Sequence, residues 1–543
     1  MNRPAAPETI TPPSSAQGSP AQTPREPSPR PSISGKSRLS LGALVVLLLI
    51  LVPLIFGIPF KSFCFSVMTF LEVVVLFNIL IIVHELGHFL AAKWCGLKID
   101  KFAIWFGKAI WSKRIKGVEY ILGSIPAGGY VALPQMAPME AIEGKAEIQA
   151  EHLPPASPGK KIIVAFAGPL FSFGLAFLFA VIVWIVGKPV SYTEQTTTIG
   201  YAYPDGPAYK AGLRNGDVIK TIDGHQVHRW MGVPDGVTWC ILTSTKDTVP
   251  IVVQRGENLL SFQVTPEPDP DNKDPHWWKR SVPPKIMIAP ASKDIIVEKV
   301  YPNSPASYAG ITPGEHLIAL EGAPLLSISQ IYETLKDHPN APLHFTVKSG
   351  NATRPVTLTA VRPVSPKEIP KDLPQTYIGI DFDEDNDIIM DHPGPWLQVT
   401  EAANTVRGTL AALFAKNSKV NATQLSGPVG IVNLFFAILS GPDGWRIALW
   451  FAVVINVNLA MLNLLPLPVL DGGHILLSII EWIRRRPLSM SILEPMQTAC
   501  ALFLIGYMLF ITFFDAQDSE KIAMNLGTSG DQELKFAPPP NSP

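Results

Sequence analysis

The sequence predicts a polytopic α-helical membrane protein of about five spans, with a membrane-associated β-sheet and two mainly β domains outside the cytoplasm. Three observations carry this. Mean hydropathy is positive (+0.22) and 16% of residues are charged, against about 25% in an ordinary soluble protein. Apolar runs of membrane length alternate with polar stretches along the 543 residues. A long soluble region in the middle of the chain holds a duplicated unit. A net charge of −1 gives no basis for nucleic-acid binding. Cys64, Cys95, Cys240 and Cys500 are scattered, with no CxxC pair, so they build neither a disulfide framework nor a thiolate metal site.

In chain order, residues 1–38 are rich in Pro, Ser and Ala and carry mostly basic charge, which predicts a disordered tail. The apolar run 39–60 reads as an additional transmembrane helix; the signal-peptide alternative lacks a small-x-small cleavage site. Residues 65–94 form the next span and contain His84-Glu85-Leu86-Gly87-His88. Region 95–160 is rich in lysine and therefore cytoplasmic by the positive-inside rule. Its short strand-like runs, broken at Gly123 and Gly128-Gly129, predict a small sheet against the membrane. The edge around Gly128, Gly129 and Tyr130 either holds an extended substrate by strand addition or is a plain structural hairpin. A span at 161–188 opens with Ala167-Gly168-Pro169.

The soluble region follows. Pro207-Ala208, Ala211-Gly212-Leu213, Gly216-Asp217 and Gly224 recur as Pro305-Ala306, Ala309-Gly310-Ile311, Gly314-Glu315 and Gly322, a constant offset of 98 residues. The units are assigned to 192–266 and 285–365, joined by a Pro- and Asp-rich linker. Residues 395–445 read as a helical region at the membrane surface. The span 446–483 is broken by Pro466, Pro468 and Gly472-Gly473, exposing backbone that only protein or a water-filled cavity can accommodate. Arg484-Arg485-Arg486 places its far end in the cytoplasm. A last span at 494–515 precedes a second tail, 516–543, expected to be disordered. The N-terminus is then inside and the duplicated region outside.

The chemistry centres on the HELGH stretch. Positions four apart share a helix face, so His84 and His88 can offer two imidazoles to one metal ion. Glu85 lies beside them as a candidate base for activating water. The plain alternative is a pair of hydrogen-bonded core histidines. Three ionisable groups in an apolar helix are costly unless they do chemistry or face a polar cavity. With no thiolate set, zinc would need a carboxylate or a third imidazole. Asp471 and His474, both on the broken helix, are the candidates.

SPASYAG and the β-branched runs around it resemble a PDZ domain, which binds extended peptides or chain ends. HELGH, the Asn463–Gly472 stretch NxxPxPxLDG, the AGP-led span and the PDZ-like pair together resemble the site-2 protease family of intramembrane zinc metalloproteases, in its bacterial regulator of sigma-E protease branch. The resemblance implies that His84, His88 and Asp471 bind Zn²⁺ and Glu85 is the catalytic base. It implies that Asn463 contacts the substrate backbone or the developing oxyanion, and that Pro466 and Pro468 shape the cavity. It further implies a bacterial inner-membrane enzyme that cuts a transmembrane protein already trimmed by an upstream site-1 protease. That substrate would be of the anti-sigma-factor or remnant-signal-peptide type, with the PDZ pair screening it. Ser172 stands where the family has Asn. The 1–38 tail and the 39–60 span are additional to the family pattern.

Overall fold

The computed structural model describes residues 59–136, 154, 156–268, 280–365, 374–383, 387–416, 418–486, 488–529 and 534–538. The described residues from Phe65 onward belong to one compact unit. The 1–38 tail and nearly all of the 39–60 span lie outside the described residues.

Helix α1 (Phe60–Trp94) is 35 residues long and apolar around its whole circumference. At 1.5 Å per residue it rises about 52 Å, more than enough to cross a hydrocarbon core of about 30 Å. Four strands follow, β1 (Lys101–Phe106), β2 (Trp111–Ile115), β3 (Val118–Leu122) and β4 (Ile125–Ala132). They form one sheet in the order β2-β3-β1-β4, so β4 is an edge. Phe102 and Val131 from this sheet share a core with Phe89 of α1 and Val164 and Ala167 of α2 (Pro158–Val186). The sheet is thereby seated on the two helices that build the site.

Beyond β5 (Lys188–Ser191) the two soluble units repeat one topology. The first runs through β6 (Ile199–Ala202), β7 (Val218–Ile222), β8 (His225–Gln226), α3 (Val237–Thr243), β9 (Val249–Arg255), β10 (Asn258–Val264) and β11 (Ile288–Pro290). The second runs through β12 (Val297–Val300), β13 (His316–Leu320), β14 (Ala323–Pro324), α4 (Ile328–Asp337), β15 (Pro342–Ser349), β16 (Ala352–Thr359) and β17 (Ile380–Phe382). The sheets are ordered β10-β9-β7-β8 and β16-β15-β13-β14, and β6 pairs with β11 as β12 pairs with β17. Each unit is therefore closed by a strand lying beyond its sequence-based boundary. The limit 192–266 is corrected to end at Pro290, and 285–365 is corrected to start after Pro290 and end at Phe382. The closing strands escape a sequence reading because they pair with residues 80 to 91 positions earlier.

The repeated acidic positions do the same work in both units. Asp217 is bound by Arg255 (Nε to Oδ1, 2.6 Å) and Glu315 by Arg354 (Nη2 to Oε2, 2.9 Å). Each carboxylate also accepts a backbone N–H three residues before it, from Arg214 and Thr312.

After β18 (Ile388–Asp391), which pairs with β5, come α5 (Pro395–Phe414), α6 (Pro428–Ser440), α7 (Gly444–Asn463), α8 (Asp471–Arg484) and α9 (Met490–Ser529). Five segments among the described residues are long and apolar enough to cross a membrane. They are Phe60–Trp94, Pro158–Val186, Ala422–Ser440, Gly444–Asn463 and Ser491–Asp518. The third falls in the region read from sequence as a surface helix. Its α-helical part, α6, has 13 residues and rises about 20 Å, short of a full core. The expected tail at 516–543 is also corrected. Helix α9 continues to Ser529, and Lys535 pairs with Ser365. Hydropathy registers where a chain leaves lipid, not where its helix ends.

Candidate metal centre

One helical turn of α1 separates His84 from His88, and their Nε2 atoms lie 3.2 Å apart. Asp471 opens α8 and reaches both rings, Oδ2 at 3.2 Å from His84 Nε2 and Oδ1 at 3.4 Å from His88 Nε2. All three side chains are buried. A tetrahedral ion with bonds of about 2.0–2.1 Å sets its ligand atoms roughly 3.3 Å apart, so these donors stand at ligand spacing. Among the described residues they are the one His/Cys/Asp/Glu group gathered in this way. His474, the competitor for the third position, is buried one turn further along α8 and is not in the group.

The distal ring nitrogens fix which lone pairs face the centre. His88 Nδ1 donates to the Val164 carbonyl at 2.8 Å, and His84 Nδ1 lies 3.0 Å from Ser172 Oγ. With the proton on Nδ1, each Nε2 is left as a metal-binding lone pair. Ser172, the departure from the family pattern, thus keeps a polar contact to the HELGH helix.

Close backbone approach makes the geometry possible. A methyl group at Gly168 would sit 2.2 Å from His88 Nε2 and 2.8 Å from His84 Nε2. One at Gly87 would sit 2.4 Å from the Ala167 carbonyl oxygen. Small residues at both positions let α1 and α2 bring the imidazoles together, as tight helix contacts in membranes require. Lys161 Nζ meets Glu481 Oε2 at 2.8 Å, tying α2 to α8 and so fixing the helix that carries Asp471. A methyl at Gly473 would lie 1.9 Å from the Leu467 carbonyl oxygen, so the turn before α8 also depends on glycine.

Glu85 is half-buried beside the edge strand: a methyl at Gly129 would sit 3.5 Å from its Cγ. Gly129 pairs with Ile104 and Tyr130 with Ala103, and the Tyr130 ring stacks 6.1 Å from that of Phe106. Gly128 has φ +82°, and a side chain there would collide with the Phe106 ring. Asn463 ends α7 with Nδ2 3.4 Å from His84 Nε2. Pro466 and Pro468 occupy the break between α7 and α8, where the Pro468 carbonyl accepts from Gln497 Nε2 of α9 at 3.2 Å.

One pair was not singled out from sequence. Trp105 sits at an irregularity of β1 between Ile104 and Phe106, in the left-handed region (φ 72°). Its indole N–H donates to Asn78 Oδ1, and Asn78 Nδ2 donates to the Val74 carbonyl at 2.7 Å within α1. The sheet is therefore pinned to the HELGH helix six residues before His84. A lone Asn in an apolar span was the available signal.

Residues 72–507 match peptidase family M50. The chain belongs to that family. The peptidase is 29% identical to the Escherichia coli regulator of sigma-E protease, over 81% of this chain and 94% of that protein. It is 30% identical to a Vibrio cholerae protein whose name includes zinc metalloprotease, over 78% and 93%. It is also 29% identical to the regulator of sigma-E protease of Salmonella typhimurium, over 77% and 91%. Membership and the apolar helices together make this a multi-pass membrane protease.

Proposed function

We propose that this peptidase is an intramembrane zinc metalloprotease that cuts a transmembrane protein within or beside its membrane segment. The observation that carries the reading is the buried convergence of His84, His88 and Asp471 next to Glu85 and the edge strand β4. His84, His88 and Asp471 would hold the ion. Zinc bound there would supply Lewis-acid polarisation and water activation at neutral pH.

The chain's own residues supply the rest. A helical substrate has its carbonyls locked in hydrogen bonds, so it must unwind before attack. The edge of β4 at Gly128, Gly129 and Tyr130 takes the opened segment as an added strand, beside Glu85. Glu85 accepts a proton from the attacking water and returns it to the leaving amine nitrogen. Asn463, aimed at the same point, donates to the carbonyl oxygen as charge develops. Pro466 and Pro468, in the break between α7 and α8, shape the cavity. Replacing Glu85 by Gln is expected to abolish proteolysis while about one zinc per chain is retained. Proteolysis by that variant would overturn the mechanism.

We further infer that the enzyme sits in a bacterial inner membrane with the metal towards the cytoplasm and the soluble units outside. The units read as PDZ-like domains, supported by their duplicated topology and by a cavity of about 660 Å³ between them, lined by Tyr203, Trp230, Ile241, Ile286, Glu333 and Lys336. Placed across the membrane from the centre, they screen substrates, admitting those already trimmed by an upstream site-1 protease. The substrate is then of the anti-sigma-factor or remnant-signal-peptide type, and relatives named as regulators of sigma-E are in keeping with the first. Deleting residues 199–382 is expected to release cleavage of untrimmed substrate; loss of all cleavage would show docking in place of screening.

A further inference from the structure

The last described residues of the chain lie on the second soluble unit. Val364 N donates to the Lys535 carbonyl at 2.6 Å and Lys535 N to the Ser365 carbonyl at 3.1 Å, an antiparallel step. Phe536 next to it is 6% exposed, although its neighbours Lys535, Ala537 and Pro538 are open to solvent. Its ring lies 6.3 Å from that of Tyr301, inclined at 52°. Gly379 makes the room, since a methyl there would sit 3.2 Å from Phe536 Cε2. Tyr301 is itself held, by its N–H to the Gly379 carbonyl at 3.0 Å and its hydroxyl to Asp381 at 2.7 Å. The chain continues Ala537-Pro538-Pro539-Pro540. Proline has no N–H to donate, so the ladder stops after one step and the anchor is the aromatic ring.

We propose that residues 534–538 are an intramolecular ligand of the second soluble unit, a latch that ties the last span to it and restrains the external screen. The proposal rests on the screening role given above. Helix α9 ends at Ser529 and the docked segment begins at Leu534. Five residue steps extend at most about 18 Å, so docking confines the unit to that distance from the end of helix α9. A second hold acts on the same helix. Arg280, between β10 and β11 of the first unit, meets Asp515 at 2.8 Å and Asp518 at 2.8 Å. The Asp515 carboxylate also accepts N–H groups of Gly427 and Gly430 at the start of α6. Releasing the latch leaves this inner hold intact and frees the outer unit. The surface is built for an extended peptide with one aromatic anchor followed by proline.

The test uses the full-length protein in nanodiscs. Ser365→Cys with Lys535→Cys places thiols on directly opposed residues of an antiparallel step, within reach of a disulfide. The double variant is expected to cross-link within the chain under mild oxidation, and the single variants are not. Adding Phe536→Asp is expected to slow cross-linking by about tenfold or more, as befits loss of a buried aromatic anchor. This readout works equally in a Glu85→Gln background, so it does not depend on proteolysis. With Glu85 intact, Phe536→Asp alone is expected to raise cleavage of an untrimmed substrate several-fold and to leave a pre-trimmed substrate within twofold. Absence of the cross-link, or a cross-link indifferent to Phe536→Asp, overturns the docking. Normal docking with unchanged cleavage of untrimmed substrate overturns the latch. If the parent enzyme cuts neither substrate, the proposed activity fails while the cross-link still reports the docking.

Discussion

The membrane-embedded centre and the paired soluble units solve the problem of fixing side chains in opposite ways. In the units, position follows from burial. Ile219, Ile251, Val253 and Leu213 in the first, and Phe345, Leu317, Ile331 and Leu335 in the second, are almost wholly removed from water. Apolar area of that kind is worth roughly 25 cal/mol per Å² and is supplied redundantly by many residues. Between helices in lipid this driving force is missing, because the tails are as apolar as the side chains. Position there depends on a few close approaches and hydrogen bonds: Gly87 and Gly168, Ser172 and Val164, Asn78 with Trp105, Lys161 with Glu481. The centre is therefore specified by single atoms and the units by bulk.

Substitutions of minimal size break or sharpen that contrast, ordered here by their effect on catalysis. Gly168→Ala adds one methyl group to a buried contact between α2 and α1, a change that costs little on an exposed helix face. Here it collides with both imidazoles, and metal affinity is expected to fall on the order of 10³-fold, since a ligand is displaced. Zinc content after dialysis, with circular dichroism to show the fold retained, measures it; a variant that keeps its metal would show that the centre tolerates bulk after all. Asn78→Leu removes the pin between sheet and helix without touching a metal donor. It is expected to lower kcat about tenfold with zinc content unchanged, because the substrate strand sits less well against Glu85. An effect on KM alone, or on zinc, would deny it a positioning role. Phe345→Ala empties a core position in the second unit and is expected to destabilise it by about 3–5 kcal/mol. Cleavage of a pre-trimmed substrate should change less than twofold, so that unit's melting transition and the catalytic rate become uncoupled. If catalysis falls in step with stability, the two regions do not differ as described.

Much of the centre is legible in the sequence because its two halves are local motifs. The four-residue spacing of His84 and His88 needs only helix periodicity, and the break before Asp471 needs only two prolines and a glycine pair. What cannot be read is how the halves meet. Choosing Asp471 over His474 depends on where α8 begins relative to α1, a relation set across 387 residues of chain (471 against 84). Ser172 and Asn78 look like isolated polar residues until partners 88 and 27 positions away are placed beside them. The soluble repeat is visible from its glycine and proline punctuation, but its closing strands at Ile288–Pro290 and Ile380–Phe382 are too short to signal alone. Phe536 is the same case in reverse: one aromatic residue in a proline-rich end, meaningful only against Tyr301.

The break between α7 and α8 has one more consequence. Residues 464–470 bring seven carbonyls but, with Pro466 and Pro468 among them, five N–H groups. Acceptors outnumber donors, and at hydrocarbon depth the protein must supply the balance. It does so from both sides of the break: the Leu465 and Leu467 carbonyls accept from Leu467 and Leu470, that of Leu470 from Gly473 and His474, and that of Pro468 from the Gln497 side chain of α9. The last span is thereby a donor to the kink, so the backbone that leads into Asp471 is held in place by a helix that contributes nothing to the metal centre.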